Sequence, residues 1–447
     1  MKEQLIYSTK CWIKTSFQEA TIHIKASKIY QIYTGKKEKA TIPFINCNDA
    51  IVMPGIIDAH VHINEPGRTH WEGFETATKA AAKGGVTSLI EMPLNSNPVT
   101  TNAKAFQIKK EATKEKLHVN CGFYGGVIPN NEKDIEKLIQ EGVFGIKGFL
   151  THSGIDEFPN ITKADLEKIA PILAKYDLPL LLHCELSDSN VPKVENPKSY
   201  KEYLTSRPDC WEVNAIKLAL EVQKKYDIKV HIVHLATAKG FEIINKQKET
   251  TDKLTVETCP HYLYFNAEEI PEASPIYKCA PPIREKSNRD KLWKGLLNNE
   301  FNFLGSDHSP APPEIKKIKE GNYFEAWGGI AGLQFTLPVI WTAGLEYGLT
   351  LAQMIPLLTE KPAKFLGLET SKGKLKVGFD ADICVWNPSE SFKVTTEIIE
   401  HKHKATPYIN RQLKGKIMHT FVNGNHVVEN GRLNILKGGK LLVKTNF

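Results

Sequence analysis

Gly55-Ile56-Ile57-Asp58-Ala59-His60-Val61-His62 is a short apolar run that ends on two histidines. It reads as a buried strand, and the i, i+2 spacing puts both imidazoles on one side of it. Working outward, seven further runs of the same kind follow: Val86–Met92, Val119–Gly125, Val143–Leu150, Leu178–Cys184, Lys229–Leu235, Leu254–Cys259 and Phe301–Asp307. Longer helical stretches such as Trp71–Lys83, Glu132–Glu141, Lys163–Tyr176 and Trp211–Tyr226 sit between them. Eight strand–helix units in about 310 residues predict an α/β fold, a (β/α)8 TIM barrel. An open doubly wound sheet is the structural alternative, because eight strands alone do not prove closure. No Gly-x-Gly-x-x-Gly follows the first strand, so a dinucleotide fold has no support.

The flanks have a different pattern. Ala20–Lys25 and Lys28–Tyr33 alternate with period two, and Ala381–Trp386 and Ile417–Val422 are also strand-like. These segments are expected to pair into one small, discontinuous β-sandwich domain from residues 1–53 and 366–447, leaving 54–365 for the barrel.

Composition narrows the function classes. Of 447 residues, 41% are hydrophobic and 24% charged, as in an ordinary soluble protein. No apolar run approaches the roughly 18 residues of a membrane span. The net charge of +7 is spread thinly, and its densest patches, Lys36-Lys37 and Lys316-Lys317, lack interleaved aromatics. No nucleic-acid partner and no membrane association is expected. Met1-Lys2-Glu3-Gln4 does not open a secretory signal, and eight scattered cysteines without Cys-x-x-Cys spacing fit a reducing, cytoplasmic setting.

In a barrel the active site is built at the strand C-terminal ends. His60 and His62 lie there on the first strand, Lys147 late on the fourth, His183 on the fifth, His234 on the sixth and Asp307 on the eighth. Imidazoles and a carboxylate suit zinc or a similar divalent ion. Four histidines and one aspartate hold two metals only if something bridges them. A lysine ammonium has no lone pair, but a lysine in an apolar strand has a lowered pKa and a nucleophilic neutral amine. Addition of carbon dioxide would make Lys147 a carbamate (N6-carboxylysine) with two bridging oxygens. Any one strand-end histidine reads as a packed core residue; six ligand-competent positions on five strand ends do not. His23, His118, His401 and His403 fall outside the pattern, and His231 points to the opposite strand face from His234. His261 and His308, near strand ends, remain candidates for touching substrate. Cys184 and Cys259 read as packing residues.

Pro54–His62 resembles the opening signature of the amidohydrolase superfamily, and Gly378-Phe379-Asp380-Ala381-Asp382-Ile383 resembles its C-terminal signature. Within the cyclic amidases, Asn64 stands where dihydroorotases have an arginine for the substrate carboxylate, and Ala280 where many have an asparagine. Met92-Pro93-Leu94-Asn95-Ser96, Cys259-Pro260-His261-Tyr262-Leu263 and Ser306-Asp307-His308-Ser309-Pro310 are similar to the allantoinase family. That resemblance implies hydrolysis of allantoin to allantoate in purine catabolism. It implies two divalent ions (zinc, or cobalt, manganese or iron), one on His60, His62 and Asp307 and the other on His183 and His234. Carbamylated Lys147 and a hydroxide would bridge them, and Asp307 would shuttle the proton. It also implies substrate contacts from Asn95 and Asn64, and a homotetramer. Allantoin is neutral, which agrees with the missing cationic clamp, although Arg68 could reach an anionic ligand. Another cyclic amidase, dihydroorotase or hydantoinase, is the nearest alternative. A metal-free scaffold is the alternative from another class, and the intact ligand set argues against it.

Overall fold

Leu180-Leu181-Leu182-His183 shows how the chain divides its apolar side chains. Leu180 and Leu182 face one way, into the cluster shared with the surrounding helices, and Leu181 faces the other, with Val233 and Phe303. A strand must bury both faces this way when helices cover a parallel sheet. In the computed structural model, which describes residues 3–188 and 193–445, the expected strands form in order. They are β1 (Ile56–Val61), β2 (Val86–Glu91), β3 (Asn120–Phe123, resuming at Gly125–Gly126), β4 (Ile146–Phe149), β5 (Leu180–His183), β6 (Val230–Ile232), β7 (Leu254–Thr258) and β8 (Phe303–Leu304).

Every neighbouring pair from β1 to β8 is parallel. Tyr124 interrupts β3 where the strand passes from β2 to β4: its N–H donates to the Glu91 carbonyl at 3.0 Å, and that of Gly125 to the Gly145 carbonyl at 3.0 Å. Closure comes from a parallel bridge between Val61 and His308, with the His62 N–H on the His308 carbonyl at 2.8 Å. The sheet is therefore a barrel and not an open doubly wound sheet. Inside it, space is tight: a Cβ on Gly305 would sit 2.9 Å from the Cβ of His60. β6 and β8 stop short of the ends expected for them because His234 (φ +37°) and Asp307 (φ +45°) leave the extended conformation. Helices Phe74–Lys83, Lys163–Tyr176 and Asp209–Tyr226 cover the outside, the second opened by a capping box of Thr162 and Asp165.

The two ends of the chain meet in one nine-stranded mixed sheet. Strand Ile51–Pro54 is its seam, parallel to Glu3–Ile13 on one side and antiparallel to Ile383–Lys393 on the other, with Pro54 opposite Ile383. Ile22, Ile24, Val52, Ile383 and Phe421 give this sheet its own apolar core. The last described residues return to the barrel. The Cys121 N–H donates to the Lys440 carbonyl at 2.9 Å, and the Lys444 N–H to that of Gly142 at 2.9 Å. No disulfide joins the eight cysteines. Among the described residues no helix is long and apolar enough to cross a membrane.

Candidate metal centre and active site

The carboxyl ends of β1 and β8 bring His60, His62 and Asp307 together, with ligand atoms all within 4.8 Å of one another. Asp307 Oδ1 lies 3.1 Å from His60 Nε2 and 3.2 Å from His62 Nε2. The ends of β5 and β6 bring in a second pair, His183 Nδ1 and His234 Nε2, 3.0 Å apart. The rings of His60 and His234, with centroids 5.4 Å apart, connect the two groups. Lys147 on β4 is buried, its ammonium 4.8 Å from the Phe149 ring centroid and without a hydrogen-bond partner. All six positions expected at the strand ends thus converge on one place.

Electrostatics there follow from burial and from two carboxylates the sequence reading missed. Burial pushes Lys147 down to about 7, against the pull of Asp307 and Glu257. It also lowers His62 and His183, and lowers His234 most. Burial works in the same direction on His60, but Glu257 and Asp307 overcome it and raise that imidazole to about 9. Glu257 on β7 pairs with His60 Nδ1 and lies 3.2 Å from His231 Nε2; against burial, these imidazoles hold its carboxyl down at about 2. Glu185 takes His183 Nε2 at 2.7 Å and is itself held by the Arg207 fork. Each carboxylate occupies one ring nitrogen and leaves the other facing inward, which is how an outer carboxylate orients a metal-binding histidine. Glu257 carried a signal, an acid inside the apolar run Leu254–Thr258; Glu185 followed His183 by two residues.

Do these groups suit a metal? Burial disfavours the charged form of His62, His183 and His234, the ring nitrogens of the last two face each other, Asp307 offers a carboxylate held well below its usual range by His60 and His62 despite burial, and Lys147 Nζ has no hydrogen-bond partner. Such a concentration of orphaned donors is costly unless a cation or a modification engages it. His234 and Asp307 also have left-handed backbones, which only surrounding structure can impose on non-glycine residues. The donor set of His60, His62 and Asp307 fits a metal ion.

A cavity of about 750 Å³ opens over this centre, reached by His62, His183, His234, Asp307 and Asn95. Asn95, at φ +68°, is buried with Oδ1 unpartnered. Asn64, the other expected amide contact, is also buried with Oδ1 unpartnered. It does not line the cavity, because its own turn (φ +68°) directs Nδ2 to the Pro310 carbonyl at 3.2 Å. Arg68 lines the cavity but spends its charge on Glu157, 2.7 Å away. His261 and His308 stay out of it; His308 Nδ1 accepts the Gly332 N–H at 3.2 Å. His231, expected to point away from the site, stacks on Phe303 and shares Glu257 with His60.

The sequence profile of the amidohydrolase family matches residues 51–427. A probable allantoinase of Oryza sativa subsp. japonica is 43% identical over 91% of this chain and 84% of that protein. An allantoinase of Saccharomyces cerevisiae is 38% identical over 95% of this chain and 92% of that protein. Among solved structures, the L-hydantoinase (dihydropyrimidinase) from Arthrobacter aurescens superposes with a TM-score of 0.92 at 29% identity, over 99% of this chain and 100% of that one.

Proposed function

Because the chain belongs to the amidohydrolase family, whose profile and allantoinase relatives span most of its length, we propose that it opens the hydantoin ring of allantoin by hydrolysis to give allantoate. One observation carries the choice of substrate. Each arginine and lysine lining the cavity is already engaged, Arg68 by Glu157, Arg207 by Glu185, and Lys278 by the backbone carbonyls of Phe324 and Ala326. An anionic substrate such as dihydroorotate would need a cation of its own there. A neutral hydantoin with a ureido tail needs amide-matching groups, and the unpartnered Oδ1 of Asn95 is one.

His60, His62 and Asp307 would hold one metal, and His183 and His234 the other, with Lys147 between them as a carbamate. Zinc suits these ligands best, and cobalt, manganese and iron are compatible. When bound, the ions supply Lewis-acid polarisation of the ring carbonyl and acidify water. The protein's own part begins with orientation: Glu257 and Glu185 fix which nitrogens of His60 and His183 point inward. Asp307, a carboxylate at neutral pH, accepts the proton of the attacking water and hands it to the leaving ring nitrogen. Asn95 accepts a substrate N–H. A homotetramer, which the family resemblance implies, and a cytoplasmic setting, which the eight unpaired cysteines suit, complete this reading.

The test is a paired ring-opening assay on metal-reconstituted protein with bicarbonate, comparing allantoin with dihydroorotate and a 5-substituted hydantoin. Turnover of allantoin alone is expected. Preferential turnover of either other ring would overturn the substrate and leave the metal centre standing.

A further inference from the structure

One wall of the cavity is the segment Phe324-Glu325-Ala326-Trp327-Gly328-Gly329, and what holds it is unusual. Lys278 Nζ donates to the carbonyls of Phe324 at 3.2 Å and Ala326 at 2.5 Å. Lys316 Nζ donates to those of Trp327 at 3.2 Å, Gly329 at 2.6 Å and Lys278 itself at 3.1 Å. Four carbonyls of a six-residue segment therefore rest on two ammonium groups. Lys316 is only 3% exposed, and among the described residues neither lysine forms an ion pair with a carboxylate; burial pushes both amines down to about 7, against which the carbonyls, acceptors only, favour the protonated form.

An ammonium has three N–H donors and no acceptor, and Lys316 has three carbonyls to meet them. That is the coordination a bound monovalent cation would have, supplied here by a side chain. Burying an unpaired charge is costly, so the arrangement is not a neutral way to fill space. Nor can the wall simply settle elsewhere. Gly329 has φ +148°, and a Cβ there would meet the Ser309 carbonyl at 2.5 Å, so the backbone is pressed against the residues that follow β8. Trp327 leans edge-on against Trp71 across the cavity, with ring centroids 4.8 Å apart.

We propose that Lys316 and Lys278 are tethered cations that set the shape of the substrate-facing wall 324–329, and so govern how tightly substrate binds without touching the metal centre. Lys316 is a positioning residue, since it acts through backbone carbonyls and does not line the cavity; Lys278 holds the wall in the same way and also lines the cavity. That the wall meets allantoin rests on the function proposed above; that two ammoniums hold it does not.

The test uses metal-loaded, full-length Lys316→Met and Lys278→Met variants. Hydrogen exchange of amides 324–330 should rise by about tenfold or more. KM for allantoin should rise about tenfold, with kcat within about threefold of wild type and metal content unchanged. In Lys316→Ala, ammonium or methylammonium chloride should restore KM, and sodium chloride at equal ionic strength should not. Wild-type exchange and KM in Lys316→Met would overturn the proposal, as would sodium rescuing as well as ammonium. If Lys316→Met does not fold, exchange in Lys278→Met decides by the same readout. If the wild type does not turn over allantoin, the substrate reading falls, and the exchange measurement still decides whether the ammoniums hold the wall.

Discussion

Lys147 is a buried amine with no partner, ringed by imidazoles, and its neighbours explain why a lysine stands where a ligand is needed. Lys147→Ala should bind little metal and lose turnover together, as metal analysis and ring-opening assay would show, with partial recovery in propionate or another short carboxylate. Burial holds the amine at about 7, below its usual 10.5, so the neutral form that adds carbon dioxide dominates above pH 7 and is lost below it. Activation of metal-free protein at fixed dissolved carbon dioxide should be faster at pH 8 than at pH 6; equal rates would show that the amine does not limit the step. Asp307→Asn should keep most of its metal while kcat falls by roughly 10²–10⁴. These residues were legible in the sequence because their types are rare at strand ends. Glu257 was not, because its role depends on His60, 197 positions away, and only barrel closure brings them together. At Asn64 the residue type suits a substrate amide, and what the sequence hides is the turn that commits its Nδ2 to the Pro310 carbonyl.

Between elements, the most exposed risk is a wholly buried ion pair. Glu91 at the end of β2 and Lys109 in helix Ala103–Ala112 lie 2.5 Å apart with no solvent contact. Glu91 also takes the Ile63 N–H at 3.4 Å, which ties the pair to the chain just after His62. Lys109→Met would strand the carboxylate and should cost about 3–5 kcal/mol in urea unfolding, most of it regained in the double variant with Glu91→Leu. The sign with pH follows from burial, which pushes the Glu91 carboxyl up to about 7 even against Lys109. A folded-state carboxyl above its unfolded value binds protons more tightly when folded, so stability falls as pH rises past about 4.5. The deficit of Lys109→Met should therefore be larger at pH 8 than at pH 5. Strand positions and their order were readable from apolar runs. The early ends of β6 and β8 were not, since left-handed turns at a histidine and an aspartate have no periodicity to announce them.

At the scale of the whole molecule, alternation in the flanks pointed to a small β-sandwich made from both ends, and the structure joins both ends in one nine-stranded mixed sheet. The return of residues 438–444 to the barrel was hidden, because its bonds are backbone to backbone and its apolar run, Leu441-Leu442-Val443, is too short to announce a strand. Removing residues 438–447 should lower stability by about 1–3 kcal/mol, seen as a lower thermal midpoint, with metal content unchanged. The seam strand Ile51–Pro54 has a further consequence, in time. During synthesis its partner Ile383–Lys393 emerges some 330 residues later, roughly 20–60 s at ordinary elongation rates. Throughout that interval Ile51-Val52-Met53 presents an apolar strand edge with nothing to pair it, which is a template for association with another nascent chain. The last strands to leave the ribosome protect the first, so yield in an expressing cell should depend on chaperone supply more than the stability of the finished fold would suggest.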